Sequence, residues 1–200
     1  MKKYSHIVCV FIMVLVIWLS AIGQSLFAQE KVTLQLKWTH AFQFAGYYAA
    51  VEQGYYAEEG LDVTIVEAGP GIEPVKTVVD GQANYGVGSS GLLLSRAAGD
   101  PVVVLAVIFQ HSPYEIATNT EIHQLTDLIG KRFMLEPQAD ELIAYLKKEG
   151  VPLDSMQMVP HAYTADGLIS GQTDAMSCYV SSEPYFFKQA GLVYNTFTPR

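Results

Sequence analysis

Apolar and polar positions alternate along this chain with two periods, and the periods take turns. Val32 to Leu36 alternates as a β-strand does, Ala45 to Gln53 carries helical spacing and stops at Gly54, and Asp62 to Glu67 is rich in β-branched residues. Ile72 to Asp80 then reads as a helix with Pro74 in its first turn and Gly81 at its end. Tyr85 to Val87 is a short strand, Gly88 to Gly91 a loop and Leu92 to Ala98 a helix. Val102 to Phe109 is a nearly unbroken apolar run, which predicts a strand covered on both faces.

The same grammar restarts near Thr118. Leu125 to Ile129 reads as a helical turn, Arg132 to Leu135 as a strand, and Ala139 to Glu149 as a helix closed by Gly150. Met156 to Val159, Thr164 to Ser170 and Ala175 to Val180 follow as strand, helix and strand. Alternating strands and helices predict an α/β fold with mostly parallel sheets, here in two lobes, residues 29–117 and 118–200.

The first 28 residues obey neither period. Lys2 and Lys3 precede a stretch, Ile7 to Ile22, that is apolar except for Ser20, and a polar stretch then ends at Ala28. This pattern is that of a secretory signal peptide, because it falls short of the roughly 20 residues that span a bilayer with ease. Leu26 is large for its place before a cut at Gln29, so an uncleaved anchor stays open beside cleavage. Either way the globular part is expected in the periplasm or otherwise outside the cytoplasm, exported by the Sec pathway. The membrane would be met only through the N-terminal segment.

Charge and cysteine count narrow the chemistry. The chain holds 12 Lys+Arg against 20 Asp+Glu, a net charge of −8, which argues against nucleic acid and anionic membrane surfaces as partners. Past the leader only Cys178 remains, so no disulfide and no cysteine-based metal site can form there. The five histidines are scattered without metal-ligand spacing, and no nucleophile and base can be paired. No catalytic residue, metal or cofactor is expected.

The string LQLKWTHAFQFAGYYAAVEQGYYAEEGLDVTIVEAGPG, followed by DGQANYGVGSSGLLLSRAAGDPVVVLAVIFQHSP, LIGKRFMLE and ISGQTDAMSCYVSSEPY, carries a resemblance. It resembles the periplasmic substrate-binding proteins of the thiamine-pyrimidine and alkyl-sulfonate class of ABC transporters, over essentially all of Lys31 to Arg200. The resemblance implies a type 2 periplasmic binding fold, in which two α/β lobes close over a small-molecule ligand and deliver it to an ABC permease. Similar modules also form the sensor part of membrane signalling proteins, so a fused signalling domain is an alternative partner. Family members return from the second lobe to the first; the chain is expected to be truncated before that return.

Candidate ligand-binding residues follow from the residues and this resemblance together. Trp38, Phe44 and Tyr48 belong to an aromatic cluster where the first strand opens into its loop, and a flat heterocycle could stack there. Tyr48, on the predicted helix, reads more readily as core. Ser89 and Ser90 offer hydroxyls ahead of a helix, and an ordinary N-cap is the competing reading. Glu136, Tyr179 and Glu183 follow strands of the second lobe, where a carboxylate could accept from an aminopyrimidine or another amine. Asp174 is expected to pin the strand that follows it.

Two departures bear on the ligand and on catalysis. His40 and Phe44 stand where the pyrimidine-binding branch carries a proline and a histidine, so a thiamine pyrimidine precursor is one candidate among amines, heterocycles and sulfonates. A thiamine pyrimidine synthase shares the implied fold, but its pyridoxal-phosphate lysine and its histidine correspond to Gly88 and Leu92. Without an amine no Schiff base can form, so a synthase is disfavoured.

Overall fold

Strand alternation at the front of the chain produces a small parallel sheet. A computed structural model describes residues 28–199, and the leader-like segment lies outside them apart from Ala28. Strands β1 (Glu30–Gln35), β2 (Leu61–Val66) and β3 (Tyr85–Gly86) pair in the order β2-β1-β3, all parallel. Along β2 every second residue, Leu61, Val63 and Ile65, turns inward, so the period-2 pattern places one face on the core. Helices α1 (Ala45–Glu52), α2 (Tyr55–Glu58) and α3 (Pro74–Val79) supply the crossovers that parallel strands require, and α4 (Leu92–Ala98) follows β3.

The second sheet is larger and mixed. Its order is β6-β5-β7-β4-β8, with β4 Tyr114–Thr118, β5 Arg132–Met134, β6 Gln157–Val159, β7 Ala175–Tyr179 and β8 Asn195–Phe197. β5 runs parallel to β6 and β7, whereas β4 is antiparallel to β7 and β8. Helices α5 (Asp140–Lys148), α6 (Asp166–Ile169) and α7 (Glu183–Gln189) flank it. α5 shows why such a segment is helical: Leu142 and Leu146, one turn apart, are wholly buried. Asp140 and Glu141 open α5, Lys147 and Lys148 close it in step with the helix dipole, and Gly150 follows in the left-handed region at φ 76°.

Most of the tight packing lies around this second sheet. Tyr114, Ile116, Phe133, Leu142, Leu146 and Val151 form one buried cluster, and Met134, Met176, Leu168 and Phe187 form another on the opposite face. The first sheet buries fewer side chains, chiefly Leu34, Leu36, Trp38 and Phe44. Asp174 does pin a strand, although the neighbouring one. Its carboxylate accepts from the Arg132 backbone N–H at 2.9 Å and from the guanidinium at 3.0 and 2.7 Å, fixing where β5 begins beside β7.

The structure departs from the sequence reading at two places. Val102 to Phe109 forms no strand; Val103, Leu105 and Val107 are exposed, and no ladder pairs the run among the described residues. Apolar composition favours burial but cannot supply a neighbouring strand. Conversely, a lobe boundary at 117/118 puts residues 114–117 in the first lobe, yet β4 (Tyr114–Thr118) belongs to the second sheet and lies between β7 and β8. Its buried Glu115 interrupts the apolar signal that would have marked it.

Candidate functional site

Parallel strands aim their carboxyl ends the same way, and both sheets aim theirs at one seam. From the first sheet, the chain leaving β1 delivers Lys37 and Trp38, held beside β2 by bonds from Leu36 N–H to Val66 O and from Ala68 N–H to Trp38 O. From the second, the end of β5 delivers Glu136, and the end of β7 delivers Tyr179 and then Glu183 at the start of α7. Lys37, Trp38, Gln43, Glu136, Ser177, Tyr179, Ser182 and Glu183 line a cavity of about 10 Å³ at this seam. That is the conventional place for a ligand in an open α/β sheet.

Lys37 is the centre of the arrangement. Its Nζ lies 3.0 Å from Glu136 Oε1 and donates to the Tyr114 hydroxyl at 2.9 Å. The same ammonium stands 4.6 Å from the Tyr179 ring centre and 5.0 Å from that of Tyr114, within cation–π range of both. Register makes the cage: Tyr114 and Tyr179 are directly opposite across β4 and β7, and their rings meet edge to face at 4.5 Å. Glu136 is aimed by its own N–H, which donates to Ser177 Oγ at 2.7 Å.

Burial and charge set the protonation states. Burial alone would lower the Lys37 ammonium, but the Glu136 carboxylate and Tyr179 hold it above its ordinary value. Burial pushes the Glu136 carboxyl up, and Lys37 pulls it part of the way back. The Tyr114 phenol is pushed up by burial, so it stays neutral and serves as a hydrogen-bonding link between Lys37 and Glu136. Burial also raises Glu183, whose Oε2 accepts the Tyr179 backbone N–H at 2.8 Å.

The aromatic wall is built across the seam as well. Trp38 meets Tyr163 at 4.8 Å and His161 at 5.2 Å, both from the loop between β6 and α6. His161 Nδ1 accepts the Tyr163 N–H at 3.2 Å, and burial pushes the ring down to about 4. Tyr163 adopts φ 57°, and Gln138, in the loop after Glu136, adopts φ 67°. These are the two described non-glycine residues in the left-handed region, and both stand where the second sheet's loops reach the first.

Four of the eight expected ligand residues, Trp38, Glu136, Tyr179 and Glu183, therefore surround one cavity. The other four lie elsewhere. Phe44 turns inward against Leu34, Leu36 and Trp38, because its place in a short 3-10 turn points it into the first sheet's core. Tyr48 is half-buried and hydrogen-bonds His40 on the outer side of α1. Ser89 donates to the Gln138 carbonyl at 3.1 Å, bridging the seam, and Ser90 is exposed. Neither serine caps α4 through its side chain.

Lys37, Gln43, Ser177 and Ser182 were not singled out from sequence. For Lys37 a signal was present: it is the one Asp, Glu, Lys or Arg between Lys31 and Glu52, placed at a strand's carboxyl end. Gly88 bears on the synthase reading. A Cβ built there would lie 2.7 Å from Leu92 Cδ1, so the backbone runs too close for a larger side chain unless Leu92 moves.

A family model described as NMT1/THI5 like matches residues 41–200. The formylaminopyrimidine-binding protein of Halalkalibacterium halodurans is 33% identical over 184 residues, covering 86% of this chain and 54% of that protein. The riboflavin-binding protein RibY of Chloroflexus aurantiacus is 29% identical over 107 residues, 51% of this chain and 30% of that protein. The chain thus spans about half, or less, of the length of these curated relatives. Among solved structures, a Bordetella bronchiseptica protein superimposes with TM-score 0.72 at 19% identity, over 85% of this chain and 57% of that one. The alkanesulfonate-binding protein SsuA from Xanthomonas axonopodis, bound to MOPS, gives 0.60 at 20% identity, over 86% and 60%. The fold is that of the type 2 periplasmic binding proteins, as the sequence resemblance implied.

Proposed function

The chain belongs to the NMT1/THI5-like family, and from that premise we propose that it is the ligand-capturing part of an extracytoplasmic solute-binding protein serving an ABC importer. The observation that carries this reading is the convergence of Lys37, Trp38, Glu136, Tyr179 and Glu183, from two sheets, on one seam. Buried charges and aromatic faces gathered between two α/β units suit capture of a small heterocycle or amine. Two relatives named for binding a formylaminopyrimidine and riboflavin support a flat, nitrogen-rich ligand. The leader-like segment, outside the described residues, supports export.

Binding proceeds by closure in this reading. Trp38 offers its face to the ligand, Glu136 and Glu183 accept from its donors, and approach of the two sheets excludes water, which strengthens each polar contact. No catalytic step is assigned, and Gly88 and Leu92, in place of a synthase's lysine and histidine, speak against a synthase. The sensor module of a membrane signalling protein remains the second reading, distinguished by what partner the bound form engages.

The test is a thermal-shift screen of the full-length protein against aminopyrimidines, polyamines and small sulfonates, followed by titration of the best compound. We expect stabilisation of about 2–4 °C from a ligand contributing roughly 1 kcal/mol at the concentration used. Trp38→Ala and Glu183→Gln should each weaken that compound by about tenfold or more while cooperative melting persists. Unchanged affinity in both variants would sink the site.

A further inference from the structure

The Lys37–Glu136 pair has a consequence for ligand class that follows from where its halves are anchored. Lys37 hangs from the first sheet, whereas the groups around its ammonium, Glu136, Tyr114 and Tyr179, all belong to the second. Both charged side chains are almost wholly enclosed, at 5% and 9% exposure. The space beside them, about 10 Å³, is room for about one water molecule. Lys37 therefore already fills the seat that the polar end of a ligand would need.

A ligand group comes between Lys37 and Glu136 only when the two, 3.0 Å apart, separate, and parting the sheets draws Lys37 away from Glu136. Closing again over a ligand buries both charges with ligand atoms between them. A lone cation would satisfy Glu136 and leave the ammonium facing like charge; a lone anion would do the reverse. Leaving one member of a buried pair uncompensated is strongly unfavourable. Glu183, the other carboxyl on the cavity, is raised by burial and already accepts the Tyr179 N–H, so it does not replace Glu136 as the partner of Lys37.

We propose that Lys37 and Glu136 act as a matched pair of specificity residues, selecting a ligand that presents an acceptor to Lys37 and a donor to Glu136. That class comprises zwitterions and neutral rings with an acceptor beside an amino group. Simple cations and simple anions are rejected. Gln43 adds an independent mark: it lines the same cavity, and its Oε1 is buried with no hydrogen-bond partner, so it awaits a donor. Ser177 Oγ, which accepts the Glu136 N–H, keeps its own proton to give. The inference rests on the seam being a ligand site, as proposed above.

The experiment is isothermal titration of the full-length protein with four probes of similar size. They are 4-aminopyrimidine, taurine, propylamine as cation alone and propane-1-sulfonate as anion alone. Wild type should bind at least one of the first two about tenfold or more tightly than either of the last two. Lys37→Met should turn the preference toward propylamine, and Glu136→Gln toward propane-1-sulfonate. The double variant Lys37→Met/Glu136→Leu, which removes both charges and keeps volume, should lose charge ranking altogether. It also preserves the test if a single variant fails to melt cooperatively. Wild type binding propylamine or propane-1-sulfonate as tightly as the bipolar probes, or variants that keep the wild-type ranking, would overturn this inference alone. Absence of binding by all four probes to every form would instead overturn the ligand-site reading on which it rests.

Discussion

Trp38 owes its place to two partners more than a hundred residues away, His161 and Tyr163, and one of them titrates. Burial lowers His161 from 6.5 to about 4, so the folded protein keeps it neutral where the unfolded chain would protonate it. Between those values the unfolded state binds more protons, and stability must rise with pH through that window and fall as pH drops through it. With allowance for partial solvent screening, the loss from pH 7 to 4 attributable to this ring is on the order of 1–2 kcal/mol. His161→Asn keeps an acceptor for the Tyr163 N–H and should flatten that part of the profile in urea melts at several pH values. An unaltered slope would remove His161 from the account.

At this scale Trp38, Glu136, Tyr179 and Glu183 were legible because each ends or follows a strand, and strand ends are where α/β sites form. Lys37 was not. A lysine at a strand's end ordinarily reads as solvated, and its burial depends on Tyr114, Glu136 and Tyr179, which local pattern cannot bring near. Phe44 packs into the core of the first sheet, and Tyr48 packs against it, for a related reason: aromatic clustering marks apolar surface without saying which side of it faces a ligand.

Among elements, the loops crossing the seam are the strained ones. Gln138 at φ 67° sits between the strand that carries Glu136 and the start of α5, and its carbonyl receives Ser89 from the first sheet. A side chain in the left-handed region costs about 1–3 kcal/mol, which glycine avoids while adding about 0.5–1 kcal/mol of unfolded-state freedom. Gln138→Gly should therefore leave stability unchanged or raise it by up to ~1 kcal/mol, and Gln138→Val should lower it by more than that. Thermal melts decide the point: a Gly variant less stable than the Val variant would mean that the side chain, not the backbone, matters there.

Helices with a clear stripe, such as α5, were readable to within a residue or two, because periodicity reports the face that must be buried. β4 and the run at 102–109 were misread in opposite senses. Glu115 broke the apolar pattern of a true strand, whereas eight apolar residues imitated one where no partner strand pairs with them among the described residues.

For the whole molecule, two sheets of unequal depth share one seam, and the deeper packing lies around the second. The α/β class and the two-unit order were legible from alternation alone. The antiparallel placement of β4 and β8 within the second sheet was not, because strand order depends on contacts between distant segments.

The stretch from Val102 to Phe109 carries a further consequence, one of handling and survival. Val103, Leu105 and Val107 are each 65% exposed or more, and the stretch contains no charge, glycine or proline to interrupt it. Such a segment can template cross-β stacking between chains, with Asp100 and Pro101 as gatekeepers on its leading side alone. Recovery from denaturant should accordingly fall as protein concentration rises, with thioflavin-positive deposits. Val104→Lys should restore recovery several-fold, whereas a yield independent of concentration would show that the stretch is shielded during refolding.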